Sequence, residues 1–209
     1  MARIIGPLAR QHLAALRILL VFTVITGALY PLAVTGIAEA AFPHRANGSL
    51  VSQNGHVIGS SMIGQNFALP PRRGRTVPPP DPRWFQPRPS AAGPSGYDPT
   101  ASGASNLGPN NSGLIAMVNR RRAAVAAFDG VPPGSVPVDA LTASGSGLDP
   151  DISPAYAYEQ VPRVARARGL PQAVVHHLVT ARVQGRALGF LGQKHVNVVN
   201  LNHDLSTLR

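Results

Sequence analysis

The sequence predicts an α+β fold in two parts: a single N-terminal transmembrane helix, then one mixed α/β extracytoplasmic domain. Three observations carry this. Ile18 to Ala38 is an apolar run of 21 residues without a charge, and no second apolar run of that length follows. Beyond it, Ala41 to Arg209 leaves 169 residues, a length that suits one domain with its own core. Within that length, strand and hairpin signals are mixed with capped helices.

The apolar run would span roughly 31 Å as a helix, close to the ~30 Å hydrocarbon core of a bilayer. A buried core helix rarely runs so long without a charge. A cleaved signal peptide is the rival reading, because Ala38-Glu39-Ala40 resembles a small-residue cleavage site. The run exceeds the usual apolar region of about 7–15 residues in a signal, which favours an uncleaved anchor. The resulting organisation is a tail over 1–16, a membrane helix over 17–39 and a domain over 40–209. Arg3, Arg10 and Arg17 precede the helix, and only Arg45 follows it closely. The positive-inside rule then puts the N-terminus in the cytoplasm and the domain outside. Pro31 removes a backbone donor and is expected to kink or loosen the turn before it. Thr23, Gly27, Pro31 and Thr35 recur every four residues, forming a candidate packing face for another membrane helix. One crossing builds no ion pathway by itself, so the chain reads as an anchored domain or a subunit of something larger.

Leu50–Gln53, Asn54-Gly55 and His56–Ile58 predict a β-hairpin, since Asn-Gly suits a turn with φ > 0 at both positions. Ser61–Phe67 is expected to extend the second strand. Residues 70 to 99 hold ten prolines, a density that excludes helix and central strand. Its Pro/Arg-rich part, about 68–84, reads either as a basic contact arm or as a tolerated surface insertion. Ser112 to Phe128 predicts a helix capped by Asn111 or Ser112, with Leu114, Met117, Val118, Val125 and Phe128 on one face. Arg120 to Arg122 are expected on its wet side. Val136–Thr142 predicts a short edge strand. Ser153-Pro154 marks a helix start, Pro162 a second turn or kink, Gly169 a stop, and Pro171 a new helix to about Gly185. His195–Leu201, rich in β-branched residues, predicts a final strand.

No cysteine is present, which excludes disulfides, thiolate metal sites and thiol nucleophiles. Net charge is +10, and 18 of 19 basic residues are arginine. The arginines are scattered without interleaved aromatics or a nucleic-acid motif, so nucleic acid is not the expected partner. A solvated basic surface is the leading reading, ahead of anionic lipid headgroups or an acidic protein surface as counterparts. Ala143–Asp149 (ASGSGLD) lacks both the nucleophile-elbow order and the ending of a phosphate loop, and reads as a structural turn. His176 and His177 are adjacent and point to different helix faces, unlike a zinc pair. Asp149 and Asp151 read as turn caps. Asn47-Gly48-Ser49 and Asn110-Asn111-Ser112 match glycosylation sequons, a pattern common by chance. No constellation for catalysis or metal binding emerges.

The order of short blocks is more informative than any one of them. They are Tyr30-Pro31-Leu32, Val34-Thr35-Gly36, Phe42-Pro43, Ala46–Leu50, Gly59-Ser60, Gly64-Gln65-Asn66-Phe67, Arg88-Pro89-Ser90 and Tyr97-Asp98-Pro99. Ala101-Ser102-Gly103, Ser105–Pro109, Thr142–Leu148, Ile152-Ser153-Pro154, Gln160–Leu170, Gly189–Gly192 and Val196–Leu201 follow. In this order the chain closely resembles the KdpC family, the C subunit of the bacterial high-affinity potassium-transporting P-type ATPase. The stretch Ala68–Trp84 departs from the family by being longer and more basic. The resemblance implies a non-catalytic accessory subunit with no cofactor of its own. Its implied partners are a channel-like potassium-binding subunit and a P-type ATPase subunit. It implies potassium as the transported ion and ATP at the level of the complex, where the family is described as a catalytic chaperone raising ATP affinity. A domain outside the membrane does not reach cytoplasmic nucleotide, so assembly and support at the outer face are the preferred role. The net basic domain also argues against a simple cation-attracting funnel. Gln65, Asn66, Phe67, Ser105 and Asn106 are the motif positions expected to serve partner contact or structure. The alternative reading is an anchored extracytoplasmic binding module unrelated to transport.

Overall fold

A computed structural model describes residues 6–70 and 78–208 of the chain. Arg3 of the basic flank and Arg72, Arg73 and Arg75 of the Pro/Arg-rich loop lie outside the described residues. The chain divides into two units, Met1–Ser49 and Leu50–Arg209.

In the first unit, helix α1 (Pro7–Val24) passes through a π-helical turn (Ile25–Leu29) into α2 (Tyr30–Ala41). Among the described residues, Pro7–Ala41 is the one helix long and apolar enough to cross a membrane. The predicted loosening before Pro31 takes a definite form. Without an amide hydrogen, Pro31 cannot serve the Gly27 carbonyl four residues back. The turn widens instead, and the Tyr30 amide reaches back five residues to the Ile25 carbonyl. Thr26 Oγ1 donates to the Phe22 carbonyl at 2.6 Å. A short helix, α3 (Pro43–Ala46), follows. Asn47 Nδ2 closes this end, donating to Glu39 at 2.9 Å and to the Pro43 carbonyl at 2.8 Å.

The second unit opens with β1 (Leu50–Gln53) and β2 (His56–Ser60), paired antiparallel with an irregularity between Val51 and Ser52. Asn54 and Gly55 hold φ of 51° and 79° at its turn, as the Asn-Gly pair requires. Ser61–Phe67 does not extend β2; only an isolated Ser60–Ile63 bridge forms. Among the described residues between β2 and α4 (Ser112–Asp129), the backbone is largely irregular. Asn111 caps it, accepting from the Gly113 and Leu114 amides, and Gly130 ends it in the left-handed region at φ 74°. Arg121 departs from the expected wet surface: it is half-buried and its Nη1 donates to the Leu141 carbonyl at 2.9 Å.

Val136–Thr142 is not a strand. It contains a 3-10 turn, Val138–Ala140, after another at Pro133–Ser135. Pro137 denies a sheet its amide, and Asp139 turns inward to accept from the Ser153 amide and hydroxyl at 2.7 and 2.9 Å. Next come β3 (Asp151–Ile152) and α5 (Pro154–Arg168). Ser153 caps α5 at the Tyr156 amide, and Gly169 ends it at φ 68°. The helix runs unbroken through Pro162. Helix α6 (Gln172–Arg182) stops short of Gly185 because β4 (Val183–Gln184) begins there. The predicted last strand is shorter: β5 is His195–Asn197, and Val198–Thr207 forms α7. Asn197 accounts for the switch, since its side chain accepts from the Asn200 amide as a helix cap. The small antiparallel sheet has order β3-β5-β4.

The core lies where three helical stripes meet. Ala157, Val161 and Val164 of α5 pack with Val175 and Val179 of α6, and with Val198, Leu201 and Leu205 of α7. These spacings of three and four residues put each set on one helix face. Phe85, fully buried, comes from the irregular stretch. Two side-chain amides substitute for the sheet partners that its backbone lacks. Asn202 bonds both the amide and the carbonyl of Phe85, each at 2.9 Å. Gln160 does the same for Gln86, at 2.6 and 3.1 Å. Buried backbone needs such partners, and here they hold a proline-flanked segment inside the core.

Candidate functional site

The separate sequence blocks converge on one place. Ser90 Oγ donates to the Gly147 carbonyl at 2.6 Å and accepts from the Ala92 and Tyr97 amides at 3.1 and 2.9 Å. The Tyr97 hydroxyl donates to the Arg88 carbonyl at 2.8 Å. Arg88 Nη1 pairs with Asp149 at 3.1 Å. Gly64 donates to the Leu148 carbonyl, and Gly103 to the Ser146 carbonyl, both at 2.8 Å. Gly64 also has no room for a side chain: a Cβ there would lie 2.3 Å from the Tyr97 ring and 2.9 Å from the Asp149 carbonyl. Glycine is needed because backbone and ring approach so closely.

This network floors a groove of about 460 Å³. Asn66, Ser90, Tyr97, Arg121, Phe128 and Tyr156 are among its walls. Several of its polar groups, on Asn66, Gln86, Arg88, Ser90 and Tyr97, are committed to structure. Ser90 uses its one donor and both acceptor positions, so it is not an activated nucleophile. Burial pushes the Tyr97 phenol well above its ordinary range, with the Asp149 charge adding to the effect. Burial also pushes the Tyr156 phenol up. Arg121 is pushed down by burial and then by Arg120 beside it.

The expected site residues divide. Asn66 reaches the groove wall, its Nδ2 donating to the Ser95 carbonyl at 3.0 Å. Gln65 lies behind the hairpin, donating to the Ile58 carbonyl at 2.7 Å and pressed against Gly59. Phe67 packs on Trp84 with ring centroids 6.2 Å apart, and its carbonyl accepts from Gln86 Nε2 at 2.9 Å. Ser105 and Asn106 are exposed, with Asn106 at φ 52°, and do not line the groove. In the first unit, Thr23, Gly27, Pro31 and Thr35 are all exposed. The turn Ala143–Asp149 is structural: Ser144 and Ser146 hydroxyls accept from the Gly147 and Leu148 amides. Asp149 likewise accepts from the Asp151 amide at 3.0 Å. His176, on the exposed side of α6, stacks on Tyr158 at 4.8 Å. No group of three or more metal-ligating residues occurs among the described residues.

Sequence reasoning missed a buried charge network beside the groove. Arg163 Nε meets Asp129 at 2.6 Å, with their side chains 5% and 1% exposed. The same guanidinium donates to the Pro82 and Trp84 carbonyls and to Gln160, at 2.7, 3.0 and 2.6 Å. Burial pushes the Asp129 carboxyl up, and Arg163 opposes it. Glu159 lies on the same helix with Oε1 buried and unbonded. Burial first, then Asp129 and Asp139, push its carboxyl up to about 7. A folded-state value above the ordinary 4.5 means that the folded domain holds the extra proton across that window. Stability therefore falls as pH rises from about 4.5 to about 7. Glu159→Gln is expected to flatten this dependence and to stabilise the domain by about 1 kcal/mol at pH 8, a figure discounted for partial exposure. Denaturation followed by Trp84 fluorescence at pH 5 and pH 8 checks it; equal pH slopes for the two proteins would contradict it.

Residues 12–207 match the family described as K+-transporting ATPase, c chain, KdpC. The chain belongs to the KdpC family. It is 53% identical over 195 residues to the potassium-transporting ATPase KdpC subunit of Kineococcus radiotolerans, covering 93% of this chain and 92% of that one. It is 48% identical over 204 residues to the Streptomyces coelicolor subunit of the same name, covering 93% and 91%. For that of Sorangium cellulosum the identity is 51% over 195 residues, covering 93% and 96%. Membership in KdpC makes this chain an accessory subunit of a potassium uptake complex, and its long apolar helix agrees with membrane association.

Proposed function

We propose that this KdpC-family chain is a non-catalytic assembly subunit, anchored by its N-terminal helix and supporting the pump at its extracytoplasmic face. The observation that carries this is the groove where the family blocks converge. Ser90, Tyr97 and Arg88 are taken up in holding its loops together, which supports a shaped contact surface. The partners are a channel-like potassium-binding subunit and a P-type ATPase subunit of the same complex. Arginines before the helix and their scarcity just after it support a cytoplasmic N-terminus. With that orientation, any rise in the ATP affinity of the pump is transmitted through assembly and not through nucleotide contact by this domain. A reporter fused after Arg209 is expected to be active outside the cytoplasm; activity inside reverses the orientation.

Co-purification in mild detergent tests the role. A tagged chain is expected to bring two large multi-span proteins from potassium-starved cells. Isolation alone and monodisperse leaves only an anchored binding module. The same assay tests the membrane face. A Cβ at Gly27 meets nothing within 4 Å in this chain, so Gly27→Leu leaves the isolated helix unstrained. If Thr23, Gly27, Pro31 and Thr35 pack on a partner helix, recovery is expected to fall several-fold, as bulk at a small-residue face does. Full recovery removes that face from the interface.

A further inference from the structure

The loop between β4 and β5 ends in an apolar tip that the groove does not involve. Leu188, Phe190 and Leu191 are 83%, 69% and 51% exposed within four residues. The tip is held in one shape. Ala187 and Leu191 exchange both backbone bonds at 2.9 Å, and Gly189 and Phe190 donate to the Arg186 and Ala187 carbonyls at 3.1 and 3.3 Å. Gly189 and Gly192 have φ of 84° and 81°, which glycine adopts freely, but Leu188 has φ 54°. A leucine in the left-handed region is strained by on the order of 1 kcal/mol. In this conformation the Leu188 side chain projects into solvent.

Charge flanks the tip on both sides. Arg186 and Lys194 stand at its base, and no acidic residue occurs between Arg182 and Asp204. Among the described residues, neither cation pairs with a carboxylate. A fluid lipid layer accepts an apolar loop in any conformation, so it gives no return for a fixed, strained leucine. A preformed pocket does, because a rigid anchor loses less entropy on docking.

We propose that Leu188, Phe190 and Leu191 form a docking knob that enters an apolar, acid-rimmed pocket on a protein partner, with Arg186 and Lys194 meeting the rim. The proposal rests on the assembly role above and names its contact surface. It places the energetic centre of the domain's interface at a loop tip, away from the groove.

The test uses the full-length chain recovered with its partners. The double variant Leu188→Ser/Phe190→Ser is expected to lower partner recovery at least about tenfold, the loss typical of apolar anchors. The Trp84-reported denaturation midpoint is expected to hold, because the replaced side chains are exposed. Arg186→Glu/Lys194→Glu is expected to weaken recovery most at low salt. Val138→Ser, at an isolated residue 73% exposed, is expected to change nothing. Normal recovery of the tip variant overturns the knob while leaving the assembly role intact. Failure of the unaltered chain to bring partners overturns both. A third arm uses the absence of native cysteine. Phe190→Cys carrying an environment-sensitive label, in the full chain alone in phosphatidylglycerol vesicles, is expected to stay in water. Quenching by brominated lipid assigns the tip to the membrane and overturns the protein pocket.

Discussion

Arg163→Ala is expected to destabilise the domain by about 3–5 kcal/mol, the usual cost of stranding one partner of a buried ion pair. Asp129, 1% exposed, would keep its carboxyl in a site built around a guanidinium. The loss extends further, since Arg163 also holds the Pro82 and Trp84 carbonyls and the Gln160 side chain. Gln160 in turn holds Gln86, and Gln86 lines the groove. The guanidinium also lies over the Phe128 ring, 4.4 Å from its centroid. Arg163→Lys is expected to recover little, because one ammonium cannot span these directions. Asp129→Leu/Arg163→Met is expected to recover most of the loss, since it removes both charges while filling the space. Urea denaturation of the full-length chain in detergent, read by Trp84 fluorescence, measures all three. A loss below about 1 kcal/mol for Arg163→Ala would place the pair among weak surface bridges and contradict the burial argument.

The contrast between Arg163 and the helix caps shows which parts of this fold were legible. Asn54-Gly55, Asn111, Ser153-Pro154 and Gly169 act on backbone within a few residues of themselves, and their chemistry could be read directly. Arg163 and Asp129 are 34 residues apart, and Gln86 and Gln160 are 74 apart. No periodicity announces such pairs. The strand expected over Val136–Thr142 is absent and the one expected over His195–Leu201 ends at Asn197, each for a local cause that outweighs β-branched composition. Pro137 has no amide to give a ladder, and a 3-10 turn takes Val138–Ala140, where the Asp139 side chain accepts from Ser153. Asn197 caps a helix whose buried residues, Val198, Val199, Leu201, Asn202 and Leu205, follow a helical spacing; that spacing is present in the sequence. For the site, the blocks around Asn66, Arg88, Ser90 and Tyr97 were visible as separate signals. Their convergence needed the fold, because side chain to backbone bonds between loops leave no pattern in either partner.

The same convergence predicts that two glycines in one turn differ sharply. Gly147 sits at φ 70°, and a Cβ there would lie 2.7 Å from the Gly103 carbonyl oxygen and 2.8 Å from the Ala92 nitrogen. Both obstacles are backbone and cannot rotate away. Gly147→Ala therefore combines left-handed strain of roughly 1–2 kcal/mol with overpacking of about 1–3 kcal/mol. A total loss of about 2–5 kcal/mol is expected by the same denaturation measurement. At Gly145, two residues earlier, a Cβ would meet nothing within 4 Å, so Gly145→Ala is expected to stay within about 0.5 kcal/mol. The damage at Gly147 is also local. The Gly147 carbonyl accepts from Ser90 and the neighbouring Ser146 carbonyl from Gly103, so displacing this turn releases Ser90–Gly103 from the groove floor. Proteolytic cleavage within Ser90–Gly103 is expected to accelerate in Gly147→Ala and not in Gly145→Ala. Equal stability and equal cleavage of the two variants would mean that the loops reach their positions without this contact, and that the groove is not the product of the converging blocks.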